Sequence, residues 1–146
     1  MAVQNLLTLS IHKGHSTVRH GLLIVDDNPV VRETTRSYLE SKFPALAVYE
    51  AGDGKDAFAQ IRNHLPDVIL MDIRLPGENG LKLTRRIRDL FPQIEIIIFT
   101  NYDLPEYRNA AFKNGAAYFL SKSSLHKKKL SAVIDAILDN ASGYTA

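Results

Sequence analysis

The sequence contains no cysteine and no tryptophan. Without cysteine the chain can form neither disulfide bonds nor thiolate metal sites, and this absence weakly favours a reducing compartment. No apolar run approaches the roughly 20 residues that a membrane-spanning helix requires. Residues 6–9 form a short apolar patch, but no basic region and no small-residue cleavage site accompany it, so no signal peptide is expected. These absences lead us to expect a cytoplasmic protein with no membrane segment.

An excess of charge of one sign is also missing. The chain has 18 Lys and Arg against 16 Asp and Glu, a formal charge of +2, which is too small to indicate a nucleic-acid partner. Its 146 residues, 45% hydrophobic and 23% charged, suit one average globular domain. We place that domain at residues 21–139, after a flexible N-terminal extension (1–20) and before a C-terminal tail or linker stub (140–146). His12 and His15 in the extension form a weak metal-ligand set because no acidic or cysteine partner accompanies them.

Five short apolar runs alternate with segments of helical periodicity. The runs lie at residues 21–25, 46–49, 68–71, 94–99 and 117–121. Alternation of strand and helix with short connections predicts parallel strands, right-handed crossovers and helices on both faces of the sheet. The predicted fold class is α/β, a doubly wound five-stranded parallel sheet of order 2-1-3-4-5, which is the flavodoxin-like arrangement. In that order the first and third strands are neighbours.

Local signals predict where the helices begin. Asn28 is a good N-cap, Pro29 suits the first helical position, and the third helix should begin near Asn79. Asp103 and Glu106 have the spacing of a capping pair for the fourth helix.

Other expectations concern helix faces and the last helix. Leu65 and Leu90 fall on the apolar faces of the second and third helices, and Ser123 or Ser124 should cap the last helix. The third helix also carries four bases, which are typical of a solvated surface: Lys82, Arg85, Arg86 and Arg88.

Polar side chains follow four of the predicted strands. Asp26 and Asp27 follow the first strand, Asp72 the third, Thr100 the fourth, and Lys122 the fifth. The carboxyl ends of parallel strands share one edge of the sheet, where ligands bind at the reversal of strand order, so these groups can converge. A lone Asp after a strand usually only starts a loop, and paired acids at a helix start often only complement the helix dipole. Neither explanation accounts for all five residues.

The convergence indicates phosphate chemistry. Three carboxylates that lie close together repel one another, and a divalent cation removes that repulsion. Hard oxygen ligands suit Mg²⁺, which commonly also binds a phosphate oxygen. Asp72 is then a candidate nucleophile in phosphoryl transfer, with Lys122 and Thr100 contacting the phosphoryl oxygens.

These residues lie in four ordered motifs, which read LLIVDDNP, VILMDIRLPGENG, IIIFTN and GAAYFLSK. Together the four motifs resemble those of a response-regulator receiver domain. The resemblance implies a phosphorylation-dependent switch, in which Asp72 accepts a phosphoryl group from a sensor histidine kinase. It further implies that Asp26, Asp27, Asp72 and the backbone carbonyl of Arg74 bind Mg²⁺, that Thr100 and Lys122 contact the phosphate, and that Phe119 is the switch aromatic. The resemblance also implies that the chain is not an enzyme, except that it promotes the phosphorylation and dephosphorylation of its own Asp72.

Three positions depart from the family's pattern. Ser123 stands where the family often has a cis proline after the lysine, which should make this loop more mobile. Asn101 and Tyr102 stand where small residues usually follow the threonine, and either could slow phosphoryl entry or water attack. Phe119 replaces a commoner tyrosine, so the switch would move a ring without a hydroxyl.

Two other functions are weighed against the phosphorylated switch. A degenerate receiver would bind a partner constitutively and never be phosphorylated. A phosphatase with an Asp nucleophile would need a second acid two residues on, and Arg74 stands there.

The expected partners follow from the phosphorylated switch. They are a sensor histidine kinase, a downstream protein or covalently linked output domain, and a second copy in a phosphorylation-linked homodimer. No direct nucleic-acid contact is expected, because Lys127, Lys128 and Lys129 are more typical of a solvated helix start.

Overall fold

The computed structural model describes residues 19–123 and 127–141, in which five strands and five helices alternate. The strands are β1 (Gly21–Val25), β2 (Ala47–Ala51), β3 (Val68–Met71), β4 (Glu95–Thr100) and β5 (Tyr118–Ser121). The helices are α1 (Pro29–Lys42), α2 (Gly54–His64), α3 (Gly80–Leu90), α4 (Pro105–Lys113) and α5 (Lys127–Ala141). Predictions for His12, His15, Ser124, most of the N-terminal extension and residues 142–146 lie outside the described residues.

The sheet has the predicted topology. All four strand pairs are parallel and the order is β2-β1-β3-β4-β5, which confirms the doubly wound arrangement. Val25 is in register with Ala51 on one side and with Met71 on the other. The residues that follow β1 and β3 therefore emerge side by side at one edge.

Two apolar layers cover the two faces of the sheet. Successive strand residues point to opposite faces, and both faces are apolar because both are covered by helices. On one face the strands pack against α2, α3 and α4, with Phe58, Ile61 and Ile87 fully or nearly fully buried. On the other face they pack against α1 and α5, through residues such as Leu39 and Ile134. None of the helices described is long and apolar enough to cross a bilayer.

Asparagine caps begin two helices as predicted. The Asn28 side chain accepts hydrogen bonds from the amides of Val30 and Val31, and Asn79 accepts from Leu81 and Lys82. Each cap satisfies amides that have no partner within the helix.

The predicted capping pair of α4 is wrong. The helix has Leu104 as its N-cap, with no capping hydrogen bond from a side chain, and Asp103 instead accepts from Arg108 Nη2 at 3.0 Å. Pro105 explains the difference, because its fixed φ suits the first helical position and sets the helix start one residue too late for Asp103 to cap it.

Two leucines expected to be buried are exposed. Leu65 is 59% exposed and lies at the C-cap of α2 with φ of 46°, so its side chain no longer follows the helix face. Leu90 is 62% exposed at the last position of α3, beyond the part of the helix that the sheet covers.

The bases of α3 are not simply a solvated surface. Arg88 donates to the carbonyl of Ile94 at 2.6 Å, and Arg85 donates to the carbonyl of Lys113. Arg86 pairs with Glu78 and its guanidinium lies 4.7 Å from the centre of the Phe58 ring. Three of the four bases therefore join α3 to neighbouring segments.

Candidate functional site

The three aspartates converge where β1 and β3 end. The amide of Asp72 donates to the carbonyl of Val25 at 3.0 Å, which continues the β1–β3 pairing up to the acids. One carboxylate oxygen from each of Asp26, Asp27 and Asp72 lies within 4.8 Å of the other two. Asp26 and Asp72 are 3% and 7% exposed, whereas Asp27 is exposed to solvent. The cluster thus has a buried side and an open side.

Lys122 contacts two of these acids across the sheet edge. It follows β5, which lies two strands from β3 and three strands from β1, at roughly 5 Å per inter-strand spacing. Its Nζ donates to Asp72 Oδ2 at 2.9 Å and also to Asp26 Oδ2. The Lys122 side chain is 10% exposed, so its charge is held within the pocket. A long cationic side chain is required at this position.

Lys122 is the counter-ion of the buried carboxylates. Burial by itself would lower the pKa of the Lys122 ammonium, but its hydrogen bonds to Asp26 and Asp72 raise that pKa above its ordinary value. Lys122 is therefore positively charged at neutral pH. No buried side-chain polar atom of the described residues lacks a hydrogen-bond partner, so the buried polar atoms of Asp26, Asp72 and Lys122 are all paired.

The remaining carboxylate oxygens are oriented by the backbone. Asp72 Oδ1 accepts from the amide of Ile73 at 2.7 Å, and Asp26 Oδ1 accepts from the amide of Asn28 at 2.9 Å. Such charge-assisted bonds limit the rotation of the two carboxylates. Three hard oxygen donors at one open-sided position fit a divalent cation such as Mg²⁺.

Thr100 ends β4, the strand between Asp72 and Lys122. It is fully buried, and its Oγ1 accepts a long hydrogen bond, 3.3 Å, from the amide of Tyr102. The amide of Lys122 donates to the Thr100 carbonyl at 3.0 Å, so the two residues are joined through the backbone. The hydroxyl of Thr100 is thereby held at the edge of the sheet that carries the aspartates.

Phe119 lies inside the core three residues before Lys122. Its ring is 4% exposed and packs with the layer formed by α2, α3 and α4. The guanidinium of Arg108 lies 4.7 Å from the ring centre and also pairs with Asp103. A side chain of α4 thus covers the aromatic ring that the sequence singles out.

Two of the departures from the family's pattern have visible contacts. The guanidinium of Arg74 lies 4.3 Å from the centre of the Tyr102 ring, which joins the loop after Asp72 to the loop after Thr100. The amide of Ser123 donates to Ser121 Oγ at 3.2 Å, and no cis peptide occurs among the described residues. A metal contact from the Arg74 carbonyl and greater mobility at Ser123 stay predictions.

Two residues that bear on the site were missed from the sequence. Gly80 packs against the loop between β3 and α3 (residues 72–79) so closely that an added Cβ would lie 1.8 Å from the Asp72 carbonyl oxygen. The PGENG segment gave only a turn signal there. Arg32 donates from Nη1 to the Asp26 carbonyl at 2.7 Å, and no local motif marks an arginine in a helix for that contact.

Comparisons with known proteins agree with this geometry. Residues 22–135 match the family model of the response regulator receiver domain. The transcriptional activator protein ExaE of Pseudomonas putida is 37% identical over 113 residues, which cover 77% of this chain and 53% of ExaE. The oxygen regulatory protein NreC of Staphylococcus haemolyticus (strain JCSC1435) is 36% identical over 113 residues, 77% of this chain and 52% of NreC. This chain therefore spans about half the length of these two curated relatives.

A solved structure extends the likeness to three dimensions. The crystal structure of a LuxR-family two-component response regulator from Aurantimonas sp. SI85-9A1 superposes with a TM-score of 0.75 at 33% identity. The superposition covers 84% of this chain and 87% of that chain.

Proposed function

Because the chain belongs to the response regulator receiver domain family, we propose that it is a signalling switch turned by phosphorylation of Asp72. The observation that carries this proposal is the contact of one ammonium, Lys122, with both Asp26 and Asp72. Those contacts bring the ends of three strands into one pocket. A constitutive binding module has no need for that arrangement.

Asp72 is the nucleophile in the proposed reaction. A carboxylate oxygen of Asp72 forms a bond to phosphorus while the bond from phosphorus to the imidazole nitrogen of a phosphohistidine donor breaks. The transition state is loose, so the residues act mainly by positioning and by balancing charge. Lys122 offsets the negative charge of the phosphoryl oxygens, and the Thr100 hydroxyl donates to one of them.

Asp26, Asp27 and Asp72 would hold Mg²⁺, and the Arg74 carbonyl is the proposed fourth protein ligand. When bound, the cation would offset negative charge on the phosphoryl oxygens. Exposed Asp27 leaves the acidic cluster open to the donor on one side. We propose no chemistry on separate substrates: the residues promote phosphorylation and dephosphorylation of Asp72 alone.

The proposed output is a change of surface. A phosphoryl group adds a charge of about −1.5 to −2 at the sheet edge. Thr100 moves toward the phosphate, Phe119 fills the vacated space, and the surface formed by α4, β5 and α5 changes. This is a bias between two conformations rather than a gradual deformation.

The proposed partners follow from the family. A sensor histidine kinase supplies the phosphoryl group, and a downstream protein or a covalently linked output domain reads the changed surface. A phosphorylation-linked homodimer is a further proposal. The relative named a transcriptional activator is about twice as long as the aligned segment, which supports an output region outside this chain.

The first test is phosphorylation by acetyl phosphate in Mg²⁺, read by intact-protein mass spectrometry. The wild type should gain one phosphoryl group, and Asp72→Asn should gain none because its amide is not a nucleophile. Asp67→Asn is the matched control: Asp67 directly precedes β3, at the opposite end from Asp72. It should be phosphorylated like the wild type.

Two outcomes would contradict the proposal. Phosphorylation of Asp72→Asn to the wild-type extent would place the acceptor elsewhere. An unmodified wild type, also after incubation with a phosphorylated histidine kinase, would favour the degenerate receiver, which binds its partner without phosphorylation.

A further inference from the structure

The backbone of Asp26 is held by a side chain from outside the acidic cluster. Arg32, one turn into α1, donates from Nη1 to the Asp26 carbonyl at 2.7 Å. Its Nε donates to Glu50 Oε1 at 3.0 Å, and its side chain is only 20% exposed. The two donors of the guanidinium thus connect the loop after β1 to the edge strand β2.

Glu50 holds Arg32 in this orientation. Its second oxygen, Oε2, accepts from Arg36 Nη1 at 2.8 Å. Burial would raise the pKa of Glu50, but hydrogen bonds from Arg36 and Arg32 lower that pKa below its ordinary value. Glu50 is therefore negatively charged at neutral pH and shared by two arginines, of which Arg32 contacts the loop that carries Asp26.

The carbonyl of Asp26 belongs to the peptide group that joins Asp26 to Asp27. A peptide group is planar, so holding its oxygen fixes the plane and limits the backbone rotation between the two residues. The Asp26 amide is already fixed by a 3.0 Å bond to the Ala51 carbonyl. The Arg32 contact restrains the other end of the residue, where the chain leads into exposed Asp27.

We propose that Arg32 is a positioning residue for divalent-cation binding: it orients the Asp26–Asp27 peptide so that both carboxylates face Asp72. This inference rests on the proposed function, since it assumes that the three acids bind Mg²⁺. Arg32 touches neither the cation nor the phosphoryl group and acts through the Asp26 backbone. Substitution of residues that hold metal ligands in place commonly lowers metal affinity by 10- to 100-fold.

The test compares two arginines that share one partner. Arg32→Met keeps the length and packing of the side chain but removes its donors, and Arg36→Met is the matched control. Both variants lose an ion pair with Glu50, but the described Arg36 contacts are with Glu50 and Glu40, not with Asp26. Mg²⁺ affinity is measured by isothermal titration calorimetry with MgCl₂, and the thermal midpoint of unfolding is measured separately in EDTA.

We expect Arg32→Met to bind Mg²⁺ about tenfold more weakly than the wild type. Arg36→Met should bind Mg²⁺ with wild-type affinity, although its thermal midpoint of unfolding should fall about as much as that of Arg32→Met. If Arg32→Met is unfolded at the assay temperature, Arg32→Lys replaces it. A single ammonium cannot reproduce the two directed donors, so the same weakening is expected.

Three results would overturn the inference. Wild-type affinity in Arg32→Met, or in Arg32→Lys where that variant is needed, would show that the carbonyl contact does not matter. Equal weakening in Arg32→Met and Arg36→Met would show a general effect of losing the Glu50 pair. In both of those cases the proposed function survives. A wild type that does not bind Mg²⁺ would instead overturn the metal-dependent function together with this inference.

Discussion

At the scale of single residues, the charge of Lys122 balances the charges of the buried Asp26 and Asp72 carboxylates. Asp26 and Asp72 are both nearly inaccessible to water, and their carboxylates lie within 4.8 Å of one another. At an effective dielectric constant near 20, two such charges repel by roughly 3 to 4 kcal/mol. Lys122 offsets this repulsion by contacting both acids, so its removal exposes the repulsion directly.

We predict that Lys122→Met lowers the free energy of unfolding by about 3–5 kcal/mol at neutral pH, because it leaves buried carboxylates without a partner. Lys129→Met, which removes an exposed lysine from α5, should change it by less than about 0.5 kcal/mol. Urea denaturation in EDTA measures both. A Lys122→Met variant as stable as Lys129→Met would contradict the role of counter-ion.

The contacts of Lys122 with these two carboxylates predict how the free energy of unfolding changes with pH. The pKa of Lys122 is raised above its ordinary value of 10.5, so the stability it contributes is fully present below pH 10.5. That contribution is lost as the pH rises through the pKa of the folded state. The stability difference between wild type and Lys122→Met should therefore be constant near neutral pH and shrink above pH 10.5.

At the scale of elements, the start of α3 packs closely on the 72–79 loop. The amide of Gly80 donates to the Ile73 carbonyl at 2.7 Å, and Thr84 Oγ1 donates to the Gly80 carbonyl at the same distance. Thr84 is fully buried. The first turn of α3 is thus fastened to the segment that positions Asp72, and it approaches that closely only because residue 80 lacks a Cβ.

Gly80→Ala should destabilise the protein by about 3 kcal/mol, the upper end of the range for overpacking, because the new Cβ would overlap the Asp72 carbonyl. It should also slow phosphorylation by acetyl phosphate, since the 72–79 loop has to move. Gly54→Ala is the control, because Gly54 is likewise a buried glycine at the first position of a helix. Its added Cβ would meet Leu83 at an ordinary 3.4 Å. Equal unfolding midpoints for the two variants would contradict the predicted overlap.

At the scale of the whole molecule, the rotation of Phe119 is expected to begin on the side of the sheet covered by α2, α3 and α4. The layer formed with α2, α3 and α4 contains Phe119, whereas the layer with α1 and α5 does not. Arg108 on α4 covers the Phe119 ring and pairs with Asp103. A rotation of Phe119 therefore requires that these contacts on α4 rearrange, while the strands β1 and β3 can stay in place.

Beryllofluoride, which mimics a phosphoryl group on an aspartate, should change hydrogen exchange in α4 and β5. The amides of β1 and β3 should keep their protection because the central strands remain paired. Asp72→Asn treated in the same way should show no change. Identical exchange of the wild type with and without beryllofluoride, with Thr100 and Phe119 in unchanged positions in crystals of both states, would contradict the switch.

The sequence by itself determined the order of elements, the strand topology and the identity of the clustered acids. Strand and helix periodicity are local properties, as are the caps at Asn28 and Asn79, and the rules for parallel sheets then bring the ends of β1 and β3 together. The misplaced cap at Asp103 was also a local matter, in which Pro105 set the helix start. Leu65 was misjudged because the helix ends before it and its backbone turns to a left-handed conformation. Leu90 was misjudged because helix periodicity does not tell where the sheet stops covering a helix face.

Only the tertiary structure decided the contacts between side chains and distant backbone. Lys122 contacts Asp26, 96 residues away, because β1, β3, β4 and β5 are consecutive strands of one sheet whose carboxyl ends share an edge. Arg32 contacts the Asp26 carbonyl because Glu50 on β2 holds its guanidinium. A glycine is needed at position 80 because α3 packs directly on the backbone of Asp72. Such contacts depend on where elements meet in space, and residue spacing along the chain does not encode that.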